Sequence, residues 1–150
     1  MTVAIAPSVE ACTAIVDRIN SGTLYELDIV AERFGNTIDP LEEVTSLRVD
    51  VVHESEEQLV ETLDIEDRTS HDIRVWIRAK VADATPDSLD PLRLVVRQIY
   101  QRLNDFDSAD GRVKVWEINS EQREIPEKDI LHEHWLFVTS LTLRVEVEAS

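Results

Sequence analysis

Apolar and polar side chains alternate without interruption along Asp72-Ile-Arg-Val-Trp-Ile-Arg-Ala-Lys-Val81. The apolar positions run from Ile73 to Val81, and the positions between them, from Arg74 to Lys80, carry positive charges or a tryptophan. Successive side chains of a β-strand point to opposite faces of its sheet. The pattern therefore predicts a strand of an antiparallel sheet that buries one face only.

The segments that follow this strand predict a helix and two further strands. After a linker, Ala84–Ser88, the helix runs from Pro91 to about Leu103. A strand, Val113–Ile118, comes next, and an irregular polar stretch, Ser120–Glu133, separates it from the closing strand, Trp135–Glu148. Asp90 is the predicted N-cap of the helix, and Pro91 fits its first turn, where a missing amide hydrogen breaks no helical hydrogen bond. The helix is apolar on one face only, so we expect it to cover one side of the sheet.

The first half of the chain predicts one more helix and three strands. Apolar residues at helical spacing, among them Cys12, indicate a helix that begins at Ser8 and ends at Asn20. The predicted strands are Leu24–Ala31, Leu47–His53 and Gln58–Glu66. A turn that proline starts, Asp39–Glu43, lies between the first and the second of them. The turn Asp67–Ser70 would let the last of them pair with the next strand as a hairpin. Together these elements predict an α+β fold: a single domain over residues 1–150, with one mostly antiparallel sheet packed against two main helices.

The formal net charge of −16 over 150 residues is the strongest feature of the composition. Binding of nucleic acid through its phosphates needs clustered lysine and arginine, so this function is disfavoured. An acidic surface can serve solubility, or it can repel a polyanion that passes nearby. The chain has neither an apolar run long enough for a membrane span nor the features of a signal peptide. We therefore expect a soluble protein made in a reducing cytoplasm, in which the single Cys12 packs as a small hydrophobe.

Candidates for catalysis or metal binding are weak. On a strand His132 and His134 would share one face, but a zinc site needs three or four ligands. We expect these two histidines to lie at an exposed junction between a loop and a strand instead. The other two histidines, His53 and His71, lie far away in sequence. An acidic set that imitates a metal-dependent nuclease arises easily by chance in so acidic a chain: Asp64, Glu66, Asp67 and Lys80. We expect no enzymatic activity, no metal and no cofactor.

Several aromatic and basic residues point to contact with other proteins. Trp76 lies on the polar side of its strand, and Trp116 is offset by one position from its apolar neighbours Val113 and Val115. Such tryptophans are either covered by a helix or belong to an interface, where tryptophan is enriched. The candidate interface residues are Trp76, Trp116, Arg74, Arg78 and Trp135.

The order of five stretches carries a resemblance to a known family. Leu24–Phe34 follows the first helix, and Asp39-Pro-Leu-Glu-Glu-Val-Thr-Ser-Leu-Arg-Val-Asp-Val-Val52 joins an acidic turn to a strand. Arg68–Val81 precedes the helix Asp90–Leu103, and Phe137-Val-Thr-Ser-Leu-Thr-Leu-Arg-Val145 closes the series. In this order the stretches resemble the tail terminator (tail completion) proteins of long-tailed phages, and the closing strand is the most specific of them.

The resemblance implies a small α+β subunit that assembles into a homo-hexameric ring. Such a ring caps the finished tail tube, ends polymerisation of the tail tube protein and offers a surface to the neck or head-closure protein. DNA passes through its lumen without specific binding, no membrane is involved, and the protein would lie at the tail–neck junction of the virion after assembly in the host cytoplasm. The acidic residues expected to face the lumen, where they would repel phosphate, are Glu54, Glu56, Glu57, Glu61, Glu66 and Asp67.

Two other functions stay open at this point. The nearer one is another ring of the same neck, a head-closure or head–tail joining protein, which would bind the portal side rather than the end of the tube. The more distant one is an enzyme or a ligand-binding domain, which would remain monomeric and have a defined pocket. The mass of the protein in solution separates the rings from the monomer.

Overall fold

The computed structural model of the protein describes residues 5–21, 29–34, 47–59, 68–119, 126 and 128–148. Along these residues the elements are α1 (Pro7–Asn20), β1 (Ala31–Phe34), β2 (Arg48–Leu59), β3 (Arg68–Lys80), α2 (Pro86–Leu103), β4 (Val113–Asn119), α3 (Lys128–His134) and β5 (Leu136–Glu148). The strands form one sheet in the order β1-β2-β3-β5-β4, in which β1 is parallel to β2 and the other pairs are antiparallel. The predicted α+β class with one mostly antiparallel sheet is confirmed.

The main hydrophobic core lies between one face of this sheet and the helices α1 and α2. The alternate apolar positions of β3, from Ile73 to Ala79, are all buried in it. Strand β5 pairs with β3 along its whole length and adds Phe137, Leu141 and Leu143 to the same core. Burial of one large apolar side chain contributes about 1.5–3 kcal/mol, so the two central strands hold both helices on this face. None of the described helices has the length and apolar character that a membrane crossing requires.

Helix α1 follows the predicted pattern closely. It begins at Pro7 rather than after a cap at Ser8, and it ends at Asn20 as predicted. Pro7 suits the first helical position because its missing amide hydrogen has no helical partner there. Cys12 is buried, which confirms its predicted role in the core. The Asn20 side chain accepts a hydrogen bond from the amide of Ala31 at 2.8 Å and donates one to its carbonyl at 3.0 Å, so the end of the helix fixes the start of β1.

Strand β1 lies later in the chain than the sequence predicts. The predicted strand was Leu24–Ala31, whereas the observed one is Ala31–Phe34, and Ile29 and Val30 precede it. Residues 24–28 and the predicted turn Asp39–Glu43 lie outside the described residues. The start of the strand is set by its parallel pairing with β2 and by the clamp from α1.

Strand β2 is longer than predicted, because it continues beyond His53 to Leu59. A β-bulge between His53 and Ser55 shifts its register against β3. The predicted hairpin partner of β3 was Gln58–Glu66; the observed partner is β2 itself, and residues 60–67 lie outside the described part of the chain. The acidic stretch Glu54–Glu57 therefore lies within a paired strand and is exposed, as predicted, through its side chains.

Helix α2 begins at Pro86 instead of Pro91. The last three residues of the stretch Ala84–Ser88, which was predicted as a linker, thus belong to its first turn. Asp83 accepts hydrogen bonds from the amide two residues on at 3.1 Å and from the hydroxyl of Ser88 at 2.7 Å, and these bonds organise the entry to the helix. Pro91, which the sequence predicted to lie in the first turn, therefore lies inside the helix.

A short helix, α3, interrupts the polar stretch that the sequence predicts to be irregular. Its Leu131 joins the main core, while Ile130 packs on the opposite face of the sheet. Trp135 adopts a left-handed backbone conformation with φ of 53°, and β5 begins after it, at Leu136. Residues 120–125 and 127 lie outside the described part of the chain. The helix thus closes one end of the sheet and positions Trp135 at the junction.

Candidate functional site

A buried ion pair occupies the face of the sheet opposite α1 and α2. Arg78 Nη2 on β3 donates to Asp50 Oδ2 on β2 at 2.5 Å, and the two side chains are 0% and 1% exposed. Arg48 lies 3.7 Å from the other carboxylate oxygen of Asp50. Arg78 was a candidate interface residue, but it is enclosed within the subunit and offers no surface to a partner in this fold. Cross-strand pairing explains this, because Asp50 lies opposite Trp76, one diagonal step from Arg78.

Trp76, on the same face, is half-buried by the chain itself. It packs against a small cluster of Leu136, Val138 and Ile130. The guanidinium of Arg74 lies 5.2 Å from its ring centroid, within the range of a cation–π contact. Of the two predicted alternatives, partial cover by a helix therefore describes Trp76 better than a free interface does.

Trp116 is the most exposed tryptophan among the described residues, at 56%. It lies in β4, an edge strand that spans Val113–Asn119 against the predicted Val113–Ile118, at a β-bulge between Val115 and Glu117. The segment before the strand covers its outer edge as far as Val115, through a 2.9 Å bond from the Val115 amide to the Phe106 carbonyl. No described strand pairs with the edge beyond that point. Trp116 therefore stands where the cover of the edge ends, with Lys114 Nζ 4.7 Å from its ring centroid.

Trp135 is 44% exposed and belongs to a different surface. It precedes β5, whereas Trp116 lies beside Arg144 and Val145 near the other end of that strand. At about 3.4 Å per residue, the two tryptophans lie on the order of 30 Å apart. The structure thus does not unite the predicted interface residues in one patch: Trp116 and Trp135 mark two separate exposed positions.

The acidic residues expected to face a lumen are described only in part. Glu54, Glu56 and Glu57 are exposed along β2, and Glu54 Oε1 lies 3.0 Å from Arg74 Nε. The remaining candidates lie outside the described residues: Glu61, Glu66 and Asp67. The described three therefore form an acidic stretch at one end of a paired strand, partly compensated by a single arginine.

A contact between two histidines was missed by the sequence analysis. His53 Nε2 lies 2.9 Å from His71 Nδ1, and the hydroxyl of Thr69 lies 2.7 Å from His71 Nε2. His71 is fully buried, with the Glu56 carboxylate 3.7 Å from its Nε2. The antiparallel hairpin brings the two rings together, and the bulge at His53 sets the register that does so. The sequence could have indicated this contact only through a prediction that β2 pairs with β3.

The other histidine pair lies on a short helix, where the sequence predicted an exposed junction between a loop and a strand. These two residues, His132 and His134, belong to α3. His132 packs edge-on against Trp135, with ring centroids 6.4 Å apart. Within the described ranges no group of three or more histidine, cysteine, aspartate or glutamate side chains is arranged to hold a metal ion.

Comparison with known proteins adds no assignment to this geometry. No protein-family model matches the chain, and no curated protein sequence matches it either.

Proposed function

We propose that this chain is a tail terminator: a structural subunit that forms a ring, caps the tail tube of a long-tailed phage and joins the tail to its neck. The proposal rests on the five stretches that resemble this family in sequence and in order. The observed single sheet with α1 and α2 on one face is compatible with it. The structural observation that supports it most is Trp116, more than half exposed on an edge strand.

Trp116 supports self-association for two physical reasons. A tryptophan that becomes buried at an interface removes a large apolar surface from water, and such residues dominate binding energies. It also lies on the edge strand β4, beyond the part that Phe106 and its neighbours cover, and exposed edges of sheets are normally protected or paired. In the proposed ring this position is a contact between neighbouring subunits.

The acidic stretch of β2 suits a channel through which DNA moves. Glu54, Glu56 and Glu57 are each exposed, and negative charge on a lumen wall repels phosphate. We place this stretch at the lumen of the proposed ring. Replacing these three glutamates by lysine should slow DNA ejection from assembled particles while leaving the ring intact, and unchanged ejection kinetics would count against this placement.

The mass of the purified protein tests the proposal. Native mass spectrometry and light scattering should give six times the subunit mass of 17.1 kDa, either for the protein alone or after polymerised tail tubes are added. Electron microscopy should show protein at the tube ends and an end to their growth. A stable monomer that leaves tube length unchanged would refute the proposal, and binding to the portal complex instead of tubes would favour a head-closure ring.

Matched variants locate the subunit contact. Trp116→Ser should abolish the hexamer while leaving the free energy of unfolding nearly unchanged, since the side chain is mostly exposed. Leu94→Ser is the control, because Leu94 is a large hydrophobic residue of similar exposure, 42%, on helix α2. It should retain the hexamer. Loss of the hexamer in both variants, or in neither, would remove Trp116 from the interface.

A further inference from the structure

The contact of His53 with His71 joins the paired strands β2 and β3. His71 lies on β3 with its side chain fully buried, and His53 lies on β2 at the bulge, half-buried. The hydrogen-bonded chain runs from His53 Nε2 to His71 Nδ1 at 2.9 Å and from His71 Nε2 to Thr69 Oγ1 at 2.7 Å. Both nitrogens of the buried ring are therefore engaged within the fold.

The hydrogen bonds that link His53, His71 and Thr69 are all satisfied when both histidine rings are neutral. A neutral imidazole has one donor nitrogen and one acceptor nitrogen. Either His53 donates to His71 and His71 donates to Thr69, or the whole chain runs in the opposite direction with the Thr69 hydroxyl as donor. In both arrangements each short contact has one hydrogen and one acceptor.

These hydrogen bonds persist when one of the two rings takes up a proton, but not when both do. If both rings were protonated, N–H groups would point at each other across the 2.9 Å between His53 Nε2 and His71 Nδ1, and two positive charges would meet at a buried position. Burial lowers the pKa of His71 below its ordinary value, and the neighbouring His53 lowers it further, whereas Glu56 and Asp72 oppose the shift.

The surroundings of His71 supply little to hold the second charge. The groups whose charge acts on it are His53 and Glu56 on β2 and Asp72 on β3 itself, and the Glu56 side chain is 48% exposed at 3.7 Å. On the other side, β5 places the apolar Val145 opposite His71. Solvent screening weakens the exposed carboxylate, so it does not offset the burial of an imidazolium.

We propose that the His53–His71 pair is a pH-sensitive clamp between β2 and β3, which is closed at neutral pH and loosens as the pH falls below about 6.5. In the unfolded chain both histidines take up a proton in this range, whereas the closed clamp accepts one. Stability is therefore complete above about pH 6.5 and is lost progressively on acidification, because the unfolded state binds the additional proton. The clamp acts at the bulge that leads into Glu54–Glu57. This inference does not depend on the proposed role in phage tails.

Unfolding by urea between pH 8 and pH 5.5 tests the clamp. Below about pH 6.5 the unfolding equilibrium constant of the wild type should rise more steeply on acidification than that of His71→Gln, which lacks the second ring. The difference between the two should approach tenfold per pH unit, the limit that one extra proton sets. His132→Gln is the matched control, since His132 is exposed on α3, and it should keep the wild-type slope. Equal slopes for the wild type and His71→Gln would overturn the proposal.

Imidazole nitrogen NMR on the wild-type protein tests the same clamp without a variant that must fold. At pH 5.5 to 6 the His71 ring should remain neutral in the folded protein, whereas in the urea-unfolded chain, where a histidine has its ordinary pKa of about 6.5, it should be mostly protonated. Protonation of His71 over the same pH range in the folded and in the unfolded protein would overturn the proposal.

Discussion

Removal of the Asp50 carboxylate should destabilise the fold severely, because it breaks the buried ion pair that this group forms with the guanidinium of Arg78. The two groups are 1% and 0% exposed and 2.5 Å apart. Breaking a buried ion pair from one side costs about 3–5 kcal/mol, whereas a whole domain is stable by only about 5–15 kcal/mol. Asp50→Val should therefore remove about a fifth or more of the total stability.

The arginine partner can be removed in the same way. In Arg78→Met, Asp50 retains Arg48 at 3.7 Å, and the Arg48 side chain is 25% exposed, so some compensation persists. The double variant Asp50→Val/Arg78→Met replaces both charges by apolar groups, and such replacements are often neutral or stabilising. It should be more stable than Asp50→Val alone.

A double-mutant cycle measured by urea unfolding provides the test. The double variant should be less destabilised than the sum of the single variants by at least about 2 kcal/mol, since contacting residues couple strongly. Additive effects, or a cost below about 1 kcal/mol for Asp50→Val, would refute the view that this pair is a desolvated unit.

Three further predictions concern the core and the end of α1. Leu141→Ala, at a fully buried position, should lower the free energy of unfolding by about 2–5 kcal/mol in urea titrations, whereas Leu94→Ala, at an exposed one, should change it by less than about 0.5 kcal/mol. Asn20→Ala removes both hydrogen bonds to the backbone of Ala31 and should cost about 1–3 kcal/mol in thermal unfolding. Burial raises the pKa of the Cys12 thiol to about 11, so the unfolded chain loses this proton first and stability should decline above about pH 9; unchanged stability between pH 8 and 10 would contradict this.

The candidate interface shows how far local patterns lead. Trp116 was predicted to lie off the core face because it breaks parity with Val113 and Val115, and its exposure of 56% confirms this. Trp76 and Arg78 break parity in the same way, yet one is half-buried and the other fully buried. Parity determines the face of the sheet on which a side chain lies, but whether that face is covered depends on distant elements, here α3 for Trp76.

Helix boundaries show a similar limit. The apolar stripe of α2 was predicted correctly, but its start was assigned to Pro91, since proline favours the first turn. The helix begins at Pro86 because Asp83 organises the turn before it, and Pro91 is tolerated inside. Two prolines that both satisfy the local rule cannot be ranked by that rule alone.

Alternation in β3 and β5 was sufficient for the sequence by itself to determine the one-sided sheet, the α+β class and most of the core, because the period of two is a local property of the strand. Only the tertiary structure decided which polar residues meet. His53 and His71, or Asp50 and Arg78, come together through strand register and a single bulge, and register is set by pairing between segments that lie far apart in the chain.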